Sequence, residues 1–403
     1  MAGALDGLRV LDLSRVLAGP FCCMMLGDHG ADVIKVEPPG GDETRGWGPP
    51  FVDGETPYYL AINRNKRSIE LNLATPQGQD IVRRLVSTSD VLVENFRAGA
   101  LERWGLGYAS LAHLNPRLVF LSISGFGRSG PYANVAGYDG ALQAFGGFMS
   151  INGEEGGGPL KAGIAVADLT TGLFASQAIL LALHARQASG VGQQAEVSLL
   201  ESLLAILHPH TSNYLNAGLV GKPHGNSHPT IAPYDLIATL DRPVYLPSGN
   251  DGQVRRLAEV IGRPELAEDP RFRSNPDRVA HRREVLDVLE AEFRKWPAIE
   301  LCRRLWDAGV PAGPVNSIDE VYADPQVLHR EMLLSFPHPG LTSGSVRFAG
   351  FAAKLSDTPA TVRRHPPMRG EHTLEILGEL GFNSQEVDGL LAAGVARGPR
   401  SGD

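Results

Sequence analysis

Short, unbroken apolar runs alternate with longer helical patterns through the first half of the chain. Residues 8–13 (LRVLDL) form one such run, followed by a break at Gly19 and Pro20, a helical stretch (FCCMMLGDHG) and a second run at 32–36 (DVIKV). Strand, helix and strand within about 30 residues predict a right-handed βαβ unit with a parallel sheet. The pattern recurs, with residues 68–73, 90–94 (DVLVE) and 117–124 (RLVFLSIS) reading as strands and GQDIVRRLVSTS as a helix. Strands apolar on both faces are buried on both faces, as parallel strands usually are. The expected fold class is therefore α/β, doubly wound in this half.

A long helix is expected over 168–186, a strand near 195–199, and a helix through ESLLAILHPH at 201–210. After Asn216 the texture changes. GLVGKPHGNSHPTIAP is rich in Gly, Pro, His and Asn, which marks a linker. A hairpin-like segment, YDLIATLDRPVYLPSG, and Arg- and Glu-rich helical segments follow it. From Pro325 onward the apolar periodicity is too thin for independent folding, so this part is expected to pack back onto the first domain.

Composition narrows the classes. With 37 Lys and Arg against 45 Asp and Glu, the net charge is −8, which argues against nucleic acid or an anionic membrane as partner. At 43% hydrophobic and 20% charged residues, the chain is not globally disordered. Cys22 and Cys23 are adjacent and Cys302 is remote, so neither a disulfide framework nor a CxxC metal pair is present. No run is seen to reach the ~18 apolar residues of a membrane span, and the N-terminus shows neither a signal nor a transit pattern. A soluble cytoplasmic protein is expected.

Several segments offer chemistry. In a dinucleotide fold the first turn carries G-x-G-x-x-G; here it reads Ser14 to Pro20 without those glycines, which disfavours an NAD-dependent oxidoreductase. His208, His210, His224 and His228 cluster, yet lack a carboxylate partner and lie among prolines, so hydrogen bonding or packing is the favoured role and no metal is expected. G-x-S-x-G and P-loop motifs are missing. Asp168 stands between small residues and the start of a helix. There a carboxylate accepts first-turn amides and is stabilised by the helix dipole, staying ionised as a nucleophile must. Plain N-capping is the commoner role of such an aspartate and contributes about 1 kcal/mol. Gly-rich loops at SISGFGRSGPY, AGYDG and SGNDGQ can approach a ligand closely or simply turn the chain.

Taken together, LRVLDLSRVLAGPF, GADVIKVEPPGGDETR, NRNKRSIELNL, DVLVENFRAG, SISGFGRSGPY, AGYD, VADLTTGL, AGVPAGPV and ADPQVLHREM resemble, in order and along nearly the whole chain, the family III CoA-transferases. Within the group, WGPPFVDGETPYYLAINRNKRSIELNL and HGNSHPTIAPY look most like the branch acting on succinyl-CoA and glutarate or hydroxymethylglutarate. The resemblance implies an interlocked homodimer. Each subunit then has a Rossmann-like large domain, 1–217 with 326–403, which binds CoA, and a linker with a smaller α+β domain, 218–325. It implies acyl-CoA and carboxylic acid substrates, with no permanently bound cofactor.

By position, the resemblance makes Asp168 the nucleophile and places Tyr138 beside it. It puts Val16 and Leu17 near the thiol arm, Asn95, Phe96 and Arg97 beside the pantetheine and adenine, and Arg103 at the nucleotide phosphates. Gly249, Asn250, Asp251, Gly252 and Gln253 correspond to a mobile active-site loop. The racemase branch has a histidine where this chain has Tyr138. A tyrosine, with a pKa near 10, is a poor base for an α-proton, so acyl transfer is favoured over a 2-methylacyl-CoA racemase. A non-catalytic acyl-CoA-binding protein is the remaining alternative. A dicarboxylate acceptor needs a cation for its distal carboxylate; Arg45 and Lys161 are the two candidates.

Overall fold

The computed structural model describes residues 3–399. Its principal sheet contains six parallel strands: β1 (Arg9–Asp12), β2 (Asp32–Glu37), β3 (Lys66–Leu71), β4 (Val91–Glu94), β5 (Val119–Ser124) and β6 (Gln194–Ser198). A short strand, Ala396–Arg397, adds antiparallel to the outer edge of β3. The order across the sheet is this C-terminal strand, then β3-β2-β1-β4-β5-β6. The direction of winding thus reverses between β1 and β4, where open parallel sheets leave a crevice at the carboxyl ends of the strands.

Alternation along each strand divides its side chains between two cores. Val10, Val33, Val91 and Val93 pack with helix α1 (Ala18–Asp28) on one face, while Leu11, Ile34 and Leu92 pack with helix α2 (Pro76–Ser87) on the other. Both faces are covered, which accounts for the unbroken apolar runs. The start of α2 is fixed by its sequence: the Thr75 hydroxyl accepts the Gly78 amide at 3.1 Å, and Pro76 occupies the first helical position. Ile81, Val82, Leu85 and Val86 give it one buried stripe, each side chain contributing about 1.5–3 kcal/mol.

Downstream lie α3 (Asp139–Phe145) and the long helix α4 (Val166–Ser189). By length and composition α4 is apolar enough to cross a membrane, contrary to the expectation that no segment would be. Packing accounts for its composition on one side: Ala167, Ala175, Ile179 and Ala182 lie in the core against the sheet. Gly172 permits the close crossing of α1, because a Cβ there would meet the Ala18 carbonyl oxygen at 2.9 Å.

The helix expected through 201–210 is two helices, α5 (Leu199–Ile206) and α6 (His210–Ala217). Pro209 separates them, since it lacks an amide donor and its ring disfavours helical backbone at His208. The C-terminal segment joins the same unit: the amide of Asn65 donates to the Arg364 carbonyl at 3.0 Å, and that of His372 to Ser68 at 2.9 Å.

Contacts divide the chain into two compact units, one comprising Met1–Phe148, Lys161–Ala217 and Gln326–Asp403, the other Met149–Leu160 and Gly218–Pro325. Residues 149–160 belong to the second unit, a detour that the division at 217 leaves out; the Gly225 amide donates to the Gly153 carbonyl at 2.9 Å. The second unit has the antiparallel pair β7 (Tyr234–Ile237) and β8 (Val244–Pro247), in the predicted hairpin segment, and a core that includes Leu246, Leu257, Phe293 and Leu301.

Candidate active site

The turn leaving β1 is held from beneath by buried charges. Asp12, the last residue of β1, accepts the Ser14 amide at 3.0 Å, the Ser14 hydroxyl, and Lys66 Nζ at 2.9 Å. Lys66 spends its other two protons on the Pro20 carbonyl and Asn63 Oδ1. Lys35 Nζ donates to the Ser14 carbonyl at 3.0 Å and to Asp42 at 2.8 Å. Burial pushes the Asp12 carboxyl up, but Lys66 and Lys35 outweigh it and hold the group below its ordinary range. Asp42 is treated likewise by Lys35 and lies at about 2.

Above this network Arg15 is clamped at its backbone, its amide donating to Asn95 Oδ1 at 2.9 Å and its carbonyl accepting Asn95 Nδ2 at 2.8 Å. Val16 follows with φ of +69°, a left-handed conformation that a β-branched residue rarely adopts. Such strain, typically 1–3 kcal/mol, persists only where the surroundings dictate it, as Ser14, Arg15 and Gly19 do here. A Cβ on Gly19 would lie 2.2 Å from Ser14 Oγ.

One open cleft lies at the winding reversal. Val16 and Leu17 line it from the β1 turn, Asn95, Phe96 and Arg97 from the segment after β4, and Tyr138 and Asp168 from the starts of α3 and α4. These positions are 80 to 150 residues apart in places, and the sheet topology gathers them. Asn95 spends both amide groups on Arg15, so it fixes the turn. Phe96 packs edge-on against Trp104 at 5.8 Å. Tyr138 is 59% exposed. Arg103 is exposed at the end of a four-residue helix and is not among the residues lining this cleft.

Asp168 differs from its expected role. It is the third residue of α4, whose N-cap is Ala165, and its carboxylate accepts no hydrogen bond among the described residues. The capping oxygen comes from Asp139 instead: its Oδ1 accepts the amides of Ala167 at 2.8 Å and Asp168 at 3.4 Å, and its Oδ2 accepts Gln143 Nε2. Burial, and then the charge of Asp139, push the Asp168 carboxyl up to about 7. Amide donation was expected to keep it well ionised; the donors are taken by its neighbour. Tyr58 is also near, its hydroxyl pushed up to about 12 by burial and by Asp168, Asp139 and Asp42.

The remaining candidates have the following surroundings. Arg45 is saturated by Glu37 at 2.8 Å, Glu55 at 3.2 Å, the Tyr59 hydroxyl and the Pro367 carbonyl, so no donor is left for a substrate. Lys161 is exposed and donates to the adjacent Ala162 carbonyl. The segment Gly249 to Gln253 belongs to the second unit and is structured: Asn250 caps helix α7 (Asp251–Val260), Gln253 returns a bond to the Gly249 amide, and Asp251 pairs with the buried Arg278 at 2.6 Å. Among the histidines, His228 Nδ1 accepts the Thr230 amide and its ring packs on Tyr234 at 5.0 Å.

Residues 5–373 match the model of CoA-transferase family III. The chain belongs to that family. It is 47% identical over 384 residues to a succinate–glutarate CoA-transferase from Agrobacterium fabrum, covering 93% of this chain and 95% of that one. Human succinyl-CoA:glutarate CoA-transferase is 40% identical, covering 97% and 89%. A crystal structure of a CAIB/BAIF family protein from Brucella suis superposes with a TM-score of 0.86 at 42% identity, covering 94% of this chain and all of that one. A family III CoA-transferase must admit a long thioester, and the cleft at the carboxyl ends of β1 and β4 is open to solvent along its rim. Sequence reading did not single out Arg15, which lines the cleft, or Tyr58 and Asp139, which interact electrostatically with Asp168; AGYD contains Asp139, and the acid beside Tyr138 was the available signal.

Proposed function

We propose that this enzyme moves CoA from succinyl-CoA to a dicarboxylic acid such as glutarate, with Asp168 as nucleophile. One observation carries the reading: a half-buried carboxylate without a hydrogen-bond partner, in the first turn of α4, faces the cleft where a CoA thioester fits. An Asp168 oxygen attacks the succinyl carbonyl, the carbon–sulfur bond breaks, and CoA leaves as thiolate. The thiolate attacks the aspartyl carbonyl of the resulting mixed anhydride, releasing succinate and leaving an aspartyl-CoA thioester. The acceptor carboxylate attacks that thioester and expels the thiolate again. The thiolate then takes the acceptor acyl group, and Asp168 is restored. Every step exchanges a carboxylate and a thiolate, so the protein must mainly exclude water from two hydrolysable intermediates. A carboxyl with a raised pKa is the stronger nucleophile once ionised.

In this reading the first unit is the Rossmann-like CoA-binding domain, with Arg97 and Arg103 at the solvent-facing phosphates. The enzyme acts as a homodimer in the cytoplasm; Leu173, Leu180 and Leu181, 45–61% exposed on α4, support a partner surface. Mixing with succinyl-CoA, trapping with hydroxylamine and mapping by mass spectrometry tests the mechanism. An adduct at Asp168, with turnover abolished in Asp168→Asn, is expected. Near-wild-type turnover of that variant would overturn it.

A further inference from the structure

Arg15 lies in the turn between the buried network and the strained Val16, and it lines the same cleft as Asp168. Its Nε is fully buried without a hydrogen-bond partner. The rest of the guanidinium likewise has no protein acceptor among the described residues; it faces the Phe96 ring, 5.7 Å from the centroid. The contrast with other arginines of this unit is sharp. Arg128 is paired with Glu94 at 2.7 Å and Glu102 at 2.6 Å, Arg64 with Asp28 at 2.7 Å, and Arg45 with Glu37 and Glu55. A partly desolvated cation without a counter-charge is unfavourable, so an anion from outside the protein fits there. The planar fork matches a carboxylate or a phosphate.

Position decides between them. Arg15 is three residues before Ala18, whose carbonyl packs against Gly172, one helical turn after Asp168. The backbone of the Arg15 turn is therefore tied to the first turns of α4, and both Arg15 and Asp168 face one cleft, so a short acyl group held at Asp168 shares that cleft with the guanidinium. Arg97 and Arg103 are exposed and suit solvent-facing phosphates, whereas Arg15, with its Nε buried, suits an enclosed anionic group. We propose that the Arg15 guanidinium binds the distal carboxylate of the dicarboxylic acyl group and so selects diacids over monoacids of similar length. This inference rests on the dicarboxylate-transfer reading above.

The test is the ratio of kcat/KM for succinyl-CoA to that for butyryl-CoA, with glutarate as acceptor. In the wild-type enzyme the ratio is expected to be well above one. Arg15→Met, which keeps the stem against Phe96, is expected to lower it roughly 10- to 100-fold, the range of a lost charge-assisted pair; Arg15→Lys falls between. If Met at this site prevents folding, the Lys variant carries the same comparison. A ratio that stays at the wild-type value overturns the assignment, including the case where both rates fall together because Arg15 serves a CoA phosphate. A wild-type ratio near one overturns the diacid reading itself, and is seen before any variant is made.

Discussion

At the scale of single residues, the capping of α4 expected of Asp168 falls to Asp139. Asp139 caps α4 from outside the helix, and its charge, added to burial, holds Asp168 at about 7. The sign of the pH dependence follows. On the proposed mechanism a protonated Asp168 is inert, so kcat/KM for succinyl-CoA is expected to rise about tenfold per pH unit toward 7 and then level off. In Asp139→Asn the neighbouring charge is gone while a capping oxygen remains, so the acid limb is expected to move to lower pH. Steady-state profiles of both proteins from pH 5 to 9 check this; identical limbs would mean that Asp139 does not set the Asp168 ionisation.

At the scale of elements, the site depends on α1 and α4 crossing without a side chain between them. Gly172→Ala sets a methyl against the Ala18 carbonyl oxygen and the Phe21 ring, each 2.9 Å from where it would lie. Overpacking of this kind costs about 1–3 kcal/mol. Thermal unfolding is expected to shift down accordingly, with a larger fall in kcat/KM than a surface Gly→Ala at Gly158 produces, because the Arg15–Leu17 turn moves with α1. The strands were legible in the sequence because burial on both faces leaves unbroken apolar runs, and the break at Pro209 was open to the same reading. Side-chain pairing was less accessible. That Arg45 is consumed depends on Glu37, Glu55 and the carbonyl of Pro367, over 300 positions away. That Arg15 is left unpaired depends on every acid that does not reach it. The Asp168 environment was misread for a related reason: a carboxylate three residues into a helix resembles a cap in sequence, and only the fold shows Asp139 already occupying that role.

At the scale of the whole molecule, the first unit begins and finishes with opposite ends of the chain. The outer edge of β3 is covered by Ala396–Arg397, with Thr373 Oγ1 donating to the Arg397 carbonyl at 2.7 Å. Deleting residues 395–403 is expected to leave the cleft residues present but to expose that edge, giving aggregation measurable by light scattering on warming; a monodisperse, equally heat-stable product would show the edge to be unimportant. The same feature acts during synthesis. At about 5–20 residues per second, the roughly 325 residues between β3 and its last partner take about 15–65 s to emerge. Throughout that interval the nascent polypeptide carries a half-built sheet with an open hydrogen-bonding border. The enzyme's vulnerable age is therefore its time on the ribosome, and the yield of soluble protein should depend on how fast it is translated and on which chaperones meet it there.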